Sequence, residues 1–191
     1  MLMTKSSLRN TLLIAMPQLE DENFSGSVIY ICEHNEDGAM GLIINRPLSV
    51  PLHELFNKTG IAYQSQLDEL SASILYGGPV DIEHGFILHT FTGELDERAS
   101  IPVTHDIALT SSRELLEDMG QGNGPQYALV SLGYAGWGPG QLEQELADNA
   151  WLNSPADKII LFQTPYEQRL ERACTRIGVD LAMLSHEAGH A

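Results

Sequence analysis

Residues 27–45 read SVIYICEHNEDGAMGLIIN. Two apolar runs rich in β-branched and aromatic residues flank four residues of turn chemistry, and that pattern predicts an antiparallel hairpin with strands over 27–34 and 39–45. Before it, LLIAM at 12–16 reads as a buried strand closed by Pro17. After it, Ser49 is placed to cap a short helix over 51–58 that Gly60 stops.

Further along, 73–80 predicts a strand running into the corner Gly77-Gly78-Pro79. Strands over 84–91 and 105–112 follow, then a helix over 113–119 capped by a serine. A strand over 125–134 leads to a glycine-rich corner, a helix over 141–150 and a strand over 158–163. Thr164-Pro165-Tyr166-Glu167 has the spacing of a capping box, with proline at the first helical position. It predicts a helix to Ile177, stopped by Gly178. Hairpins early and helix–strand alternation later argue for an α+β fold rather than a doubly wound sheet.

The chain has 191 residues, 43% of them hydrophobic, which suits one globular domain with a real core. We expect one domain over 1–191, with 1–10 and 186–191 as flexible tails. Ten Lys and Arg stand against 26 Asp and Glu, a net charge of −16. That balance disfavours broad contact with nucleic acid or an anionic membrane, both of which need cations. The acids are scattered, not gathered into a tail, and read as solvated faces and turns. Cys32 and Cys174 are too few for a disulfide framework and suit buried thiols in a reducing compartment. The first apolar run is too short for a signal peptide or a membrane span, so a cytoplasmic protein without membrane attachment is expected.

Several motifs carry chemistry on paper. His186-Glu187-Ala188-Gly189-His190 is a literal H-E-x-x-H, the helical zinc-site spacing. Gly189 weakens that helix and a frayed end supplies no braced pocket, so it reads as a tail, and no metal is expected. Cys32 and His34 stand two apart, which puts both on one face of a regular strand. They could be a nucleophile and base, and Cys32 is kept as a candidate reactive thiol; a buried thiol beside a strand-end histidine is the plainer reading. His53, His84, His89 and His105 show no ligand spacing. Arg46, beside Asn45 at a strand exit, could grip an anion or pair with one of the many acids. Arg169, Arg172 and Arg176 form a stripe at helical spacing, with Glu167 and Glu171 interleaved; they make a poor nucleic-acid patch, and no helix-turn-helix is evident.

The corner LGYAGWGPGQLEQEL, at 132–146, fits neither a dinucleotide nor a phosphate loop. No lysine follows its glycines, and the acidic helix start would repel a phosphate. Two readings stand. It is a tight corner in which Tyr134 and Trp137 pack, or those aromatics wall a pocket for an apolar or peptide-like ligand.

The stretches LLIAMPQL, FSGSVIYICEHNEDGAMGLIINRP, LYGGPV, GFILH, LGYAGWGPGQLEQEL and NAWL, in this order, resemble the AlgH/YqgE family of bacterial proteins, as does the ending EAGHA. The resemblance implies an α+β fold whose mixed, largely antiparallel sheet curls into a small barrel-like core with flanking helices. It implies a cytoplasmic bacterial protein. It supplies no agreed activity, cofactor or catalytic residue; the family is linked to control of alginate synthesis, and members are sometimes labelled transcriptional regulators. Its stretches fall here on Asn45, Arg46, Gly77, Gly78, Pro79, Gly133, Trp137 and Gln141, without roles. The expectation is a regulatory or adaptor domain without catalysis, monomeric or weakly dimeric, needing no cofactor. It would bind a protein or small ligand in a groove near Asn45, Arg46, Gly77, Gly78, Tyr134, Trp137 and Gln141. An enzyme using Cys32 with a histidine, and a regulator that binds DNA directly, are the alternatives.

Overall fold

The hairpin forms as expected. Strand β2 (Val28–Asn35) pairs antiparallel with β3 (Gly38–Ile43), with Asn35 opposite Gly38 across the turn. The computed structural model describes residues 7–68, 72–96 and 99–186. Among them the other strands are β1 (Thr11–Ala15), β4 (Pro47–Pro51), β5 (Ser73–Tyr76), β6 (Val80–Thr90), β7 (Ser100–Pro102), β8 (Ile107–Thr110), β9 (Ala128–Trp137) and β10 (Trp151–Pro155). The helices are α1 (Leu52–Thr59), α2 (Arg113–Gly120), α3 (Gln141–Ala147), α4 (Arg169–Arg176) and α5 (Leu181–His186).

The strand path runs β10-β1-β2-β3-β9-β6-β8-β7. Every neighbouring pair on it is antiparallel. β5 adds to β9 in parallel and carries β4 on its other side. β9 therefore belongs to two sheets at once. Its C-terminal part pairs with β3, at Ala135–Trp137, and its middle pairs with β5, at Ser131 and Leu132. Gly133, between them, takes a positive φ of 71° and lets the strand turn from one sheet into the other.

Curling the two sheets gathers one large core on their inner faces. Leu12, Tyr30, Cys32, Leu42, Leu75, Leu88 and Leu109 meet there, closed by Ala173 and Cys174 of α4. The result is a half-barrel. On the outer face of the first sheet, Leu13, Ile29, Ile31 and Trp137 pack under Leu142 of α3. On the outer face of the second, Ile74, Ile87 and Val130 pack under α1, through Leu52 and Phe56, and under Leu115 and Leu116 of α2.

The structure departs from the sequence reading at defined places. Residues 158–163 do not form a strand; Ile159–Gln163 is a π-helical turn that lays Ile160 and Leu161 into the core. The capping box does not form. Thr164 donates its hydroxyl to the Ile159 carbonyl, a short 3₁₀ turn over Tyr166–Gln168 follows, and α4 starts at Arg169. Ser49 lies in β4 and caps nothing; Pro51 stands at the start of α1. β10 was not foreseen, because its apolar residues do not alternate and its partner, β1, lies far away in sequence. Of the expected N-terminal tail, residues 7–10 are held: the Leu8 N–H donates to His34 Nδ1 at 2.9 Å, and Asn10 donates to the Ile31 carbonyl at 2.9 Å.

The Gly77-Gly78 corner presses on β9. A Cβ at Gly77 would overlap the Gly133 carbonyl, and one at Gly78 would overlap the backbone of Tyr134 and Ala135. Gly78 also sits at φ 151°, which L side chains rarely adopt. Gly78→Ala is expected to cost on the order of 3 kcal/mol. Chemical denaturation would then show a lower midpoint with an unchanged slope.

Candidate functional site

Trp137 ends β9 and is buried, not displayed. Its ring stacks on Phe24, with centroids 6.4 Å apart, and meets Trp151 edge to face at 6.0 Å. Its Nε1 donates to Glu145 Oε2 at 2.9 Å, and Trp151 Nε1 donates to the same oxygen at 2.8 Å. Gln141 Nε2 donates to Glu145 Oε1 at 2.9 Å, while Gln141 Oε1 accepts the Gly138 N–H at 3.0 Å. One carboxylate on α3 thus ties the end of β9 to the start of β10, and Gln141 fastens the corner between β9 and α3.

Arg46 is not paired with an acid among the described residues. Its guanidinium donates to the backbone carbonyls of Glu22 (3.2 Å), Asn23 (2.6 Å) and Ser25 (2.5 Å). Asn45 accepts the Val28 N–H at 2.8 Å and donates to the Gly26 carbonyl at 3.0 Å. Together they brace the loop that carries Phe24 onto Trp137. Arg169 is the second correction. It is not part of an exposed stripe but 2% exposed. It donates to the carbonyls of Thr164 (2.9 Å) and Ile44 (2.5 Å) and lies 4.5 Å above the Tyr166 ring. Burial pulls its pKa down to about 10, against the opposing pull of Tyr166 and Glu167. Arg176 meanwhile pairs with Asp157 at 2.6 Å.

Cys32 and His34 do not share a face. Ile31 pairs with Gly41 and Glu33 with Met40, so Cys32 is the extra residue of a β-bulge. Beyond the bulge the alternation is reversed. His34 faces the same way as its partner Ala39, toward the outer cluster, while Cys32 points into the half-barrel. The thiol donates weakly to the Tyr30 carbonyl at 3.7 Å. Burial, reinforced by Glu33, pushes its pKa well above the ordinary thiol value, although Arg9 pulls the other way. His34 accepts from Leu8 at Nδ1, so its Nε2 carries the proton, 3.5 Å from Glu143. The exposed His84 and His105 sit beside Asp81 and Asp106. No group of three or more metal-ligating side chains occurs among the described residues. The H-E-x-x-H stretch lies outside them, apart from the backbone of His186.

What remains open lies along the end of the Trp137 strand. A trough of about 390 Å³ runs between the β2–β3 turn and the start of β6. Met40, Val80, Tyr134, Gly136 and Trp137 line it, together with Glu33 and Asp37. Tyr134 lies where the sequence placed it, its ring edge-on to Phe86 at 5.6 Å. Val80 pairs with Tyr134, and before β6 rejoins β9 at Gly85 the chain bulges out through residues 81–84. Val80, on the trough, is 38% exposed, and Ile82, two residues further along the chain, is 56% exposed. Sequence reasoning singled out neither: Val80 closed a predicted strand and Ile82 lay between two of them. His89, named among the histidines without ligand spacing, is 5% exposed and lines a separate cavity.

A mixed sheet curled into a half-barrel, with one strand shared between its two halves and helices on the outer faces, defines an α+β class of its own. Residues 12–182 match the AlgH-like family model, and the chain belongs to that family. It is 50% identical to a UPF0301 protein of Thioalkalivibrio sulfidiphilus over 186 residues, covering 97% of this chain and 98% of that one. A UPF0301 protein of Nitrosococcus oceani is 48% identical over 189 residues, covering 98% and 99%. The solution structure of the AlgH protein from Pseudomonas aeruginosa superposes with a TM-score of 0.78 at 42% identity, over 100% of both chains. A crystal structure from Corynebacterium diphtheriae, at 21% identity and a TM-score of 0.64 over 89% of this chain and 86% of that one, shares the fold. No helix among the described residues is long and apolar enough to cross a membrane.

Two expectations follow. Glu145→Ala leaves two buried indole N–H groups without their acceptor and should lower stability by about 2–4 kcal/mol, with Glu145→Gln intermediate, as read from denaturant melts. Alkylation of Cys32 by iodoacetamide at pH 8 should be no faster than global opening and should accelerate with added urea; rapid labelling of the folded chain would show an accessible thiolate.

Proposed function

We propose that this chain is a non-catalytic adaptor that docks an extended, apolar segment of a protein partner, flanked by basic residues, in the trough beside Tyr134. The observation that carries this reading is the exposed side chain of Val80 on a recess that Met40 and Tyr134 also line, with the exposed Ile82 two residues further along the chain. Exposed apolar surface of this kind marks recognition sites more often than bare solvent. Glu33 and Asp37 margin the recess, and Asp81 and Glu83 flank Ile82 in the chain, so a partner with Lys or Arg beside its apolar anchor is complementary. The net charge of −16 adds a long-range field of the same sign. That field opposes direct contact with DNA, so regulation by this protein would run through a protein partner. Two buried, unpaired cysteines support a cytoplasmic setting.

Fluorescein-labelled twelve-residue peptides with a Leu-Val-Leu-Phe centre, flanked either by Lys pairs or by Glu pairs, test this by anisotropy. The Lys-flanked peptide should bind at least ten times more tightly than its Glu-flanked counterpart. Its affinity should fall as salt rises. The double variant Val80→Asp, Ile82→Asp should lose that binding tenfold or more, about 1.4 kcal/mol, with its melting temperature held because both positions face solvent. Equal binding of the two peptides, or binding indifferent to the double substitution, would refute the docking surface.

A further inference from the structure

Arg172 and Arg176, unlike Arg169, stay on the surface. Gln168, at the head of α4, and Arg172, Thr175 and Arg176 within it recur at helical spacing, and all four line a groove of about 460 Å³. The π-helical turn lines it as well. That turn is closed by the Thr164 N–H on the Ile159 carbonyl at 2.8 Å; it buries Ile160 and leaves Ile159 outside. At 63% exposure, Ile159 stands further into solvent than Val80 or Ile82. Single π-turns are uncommon and are found frequently at functional sites.

The charged side chains on the lining are Asp157, Arg172 and Arg176. Asp157 is already engaged: its Oδ2 accepts from Arg176 at 2.6 Å and its Oδ1 accepts the Ile160 N–H at 2.8 Å. The exposed Arg172 guanidinium has no ion-pair or hydrogen-bond partner among the described residues. Its helix neighbours Glu167 and Glu171 are not on the lining. The groove thus holds one unbalanced positive charge together with an exposed apolar side chain. A guanidinium fork matches a carboxylate through two parallel hydrogen bonds. The net charge of −16 opposes a phosphate dianion or a polyanion more than a monoanion, which favours a single carboxylate. The volume is in the range that small ligands occupy, and Ile159 offers an apolar body a place to lie.

We propose that this groove binds a small organic monoacid, its carboxylate paired with the Arg172 guanidinium and its apolar body lying against Ile159. The groove shares no lining residue with the trough beside Tyr134, so the two sites stand or fall separately. The test uses the ¹⁵N-labelled full chain with naphthoate as the probe. Naphthamide, neutral and of the same shape, and acetate, charged but without the body, are the controls. The Arg172 Nε–Hε signal should shift saturably as naphthoate is added, and far less with either control at matched concentration. The corresponding signal of Arg113, whose Nε–H is held by Glu117, should stay in place. By calorimetry, Arg172→Gln should weaken naphthoate roughly tenfold and Ile159→Ser roughly threefold. Melting temperatures should hold, because both side chains are exposed. Should a variant lose its fold, the Arg172 signal of the unaltered chain decides alone. The site is refuted if that signal is unmoved at millimolar naphthoate, if either control moves it as far, or if folded Arg172→Gln binds naphthoate as tightly as the unaltered chain.

Discussion

The half-barrel depends on a single strand taking part in two sheets. β9 cannot pair with β3 along its last residues and with β5 along its middle unless it bends between them, and Gly133, at φ 71°, is where it does. The bend brings other backbone in close. Gly77 and Gly78 touch the main chain of Gly133, Tyr134 and Ala135 at separations that leave no room for a Cβ. Side chains there would push the β5–β6 corner outward and unpair Val80 from Tyr134. The glycines of LYGGPV and LGYAGWG are thus two sides of one contact. Their spacing answers to sheet curvature and owes nothing to phosphate binding.

That contact also explains what most of the residues singled out from the sequence do in the fold. Asn45, Arg46, Gly77, Gly78, Trp137 and Gln141 all prove to hold the seam and its covering loop in place. Arg46 spends its guanidinium on three carbonyls, and Trp137 and Gln141 converge on Glu145. Residues that fix a backbone so tightly leave a rigid surface beside them. The open side of that surface carries Met40, Val80 and Tyr134, and Trp137 reaches it from the seam.

Much of the fold was legible because local signals agreed with tertiary ones. The Asn35–Gly38 turn, the left-handed Gly60 after α1 and the Ser112 cap of α2, whose hydroxyl accepts the Leu115 N–H, all behave as their chemistry dictates. The failures share a different cause. KIILFQ has strand composition, yet Ile160 and Leu161 are buried from a π-turn because α4 has to be brought over the open side of the half-barrel. Thr164 was read as a cap, but its hydroxyl donates to the Ile159 carbonyl, which also accepts the Thr164 N–H that closes the π-turn. At Cys32 a single inserted residue reversed the strand's alternation and separated a thiol from the histidine two positions on. A bulge leaves no mark in composition, so no count of spacing could have found it.

Charge adds the last constraint. The chain has only ten Lys and Arg side chains, and the structure places Arg46 and Arg169, among others, on carbonyl oxygens. Arg169 in particular is buried against Ile44 and Thr164, where its role is to satisfy acceptors at the end of β3 and ahead of α4. Arg113, Lys158 and Arg176 pair with Glu117, Asp106 and Asp157. Those five cations are therefore engaged, each with groups of its own chain, while 26 carboxylates are distributed over the sequence. A surface built this way repels polyanions and draws cations from a distance, and ionic strength sets how far that field reaches. The long-range field around this protein is thus set by how it places its few arginines and lysines, ahead of any short-range contact.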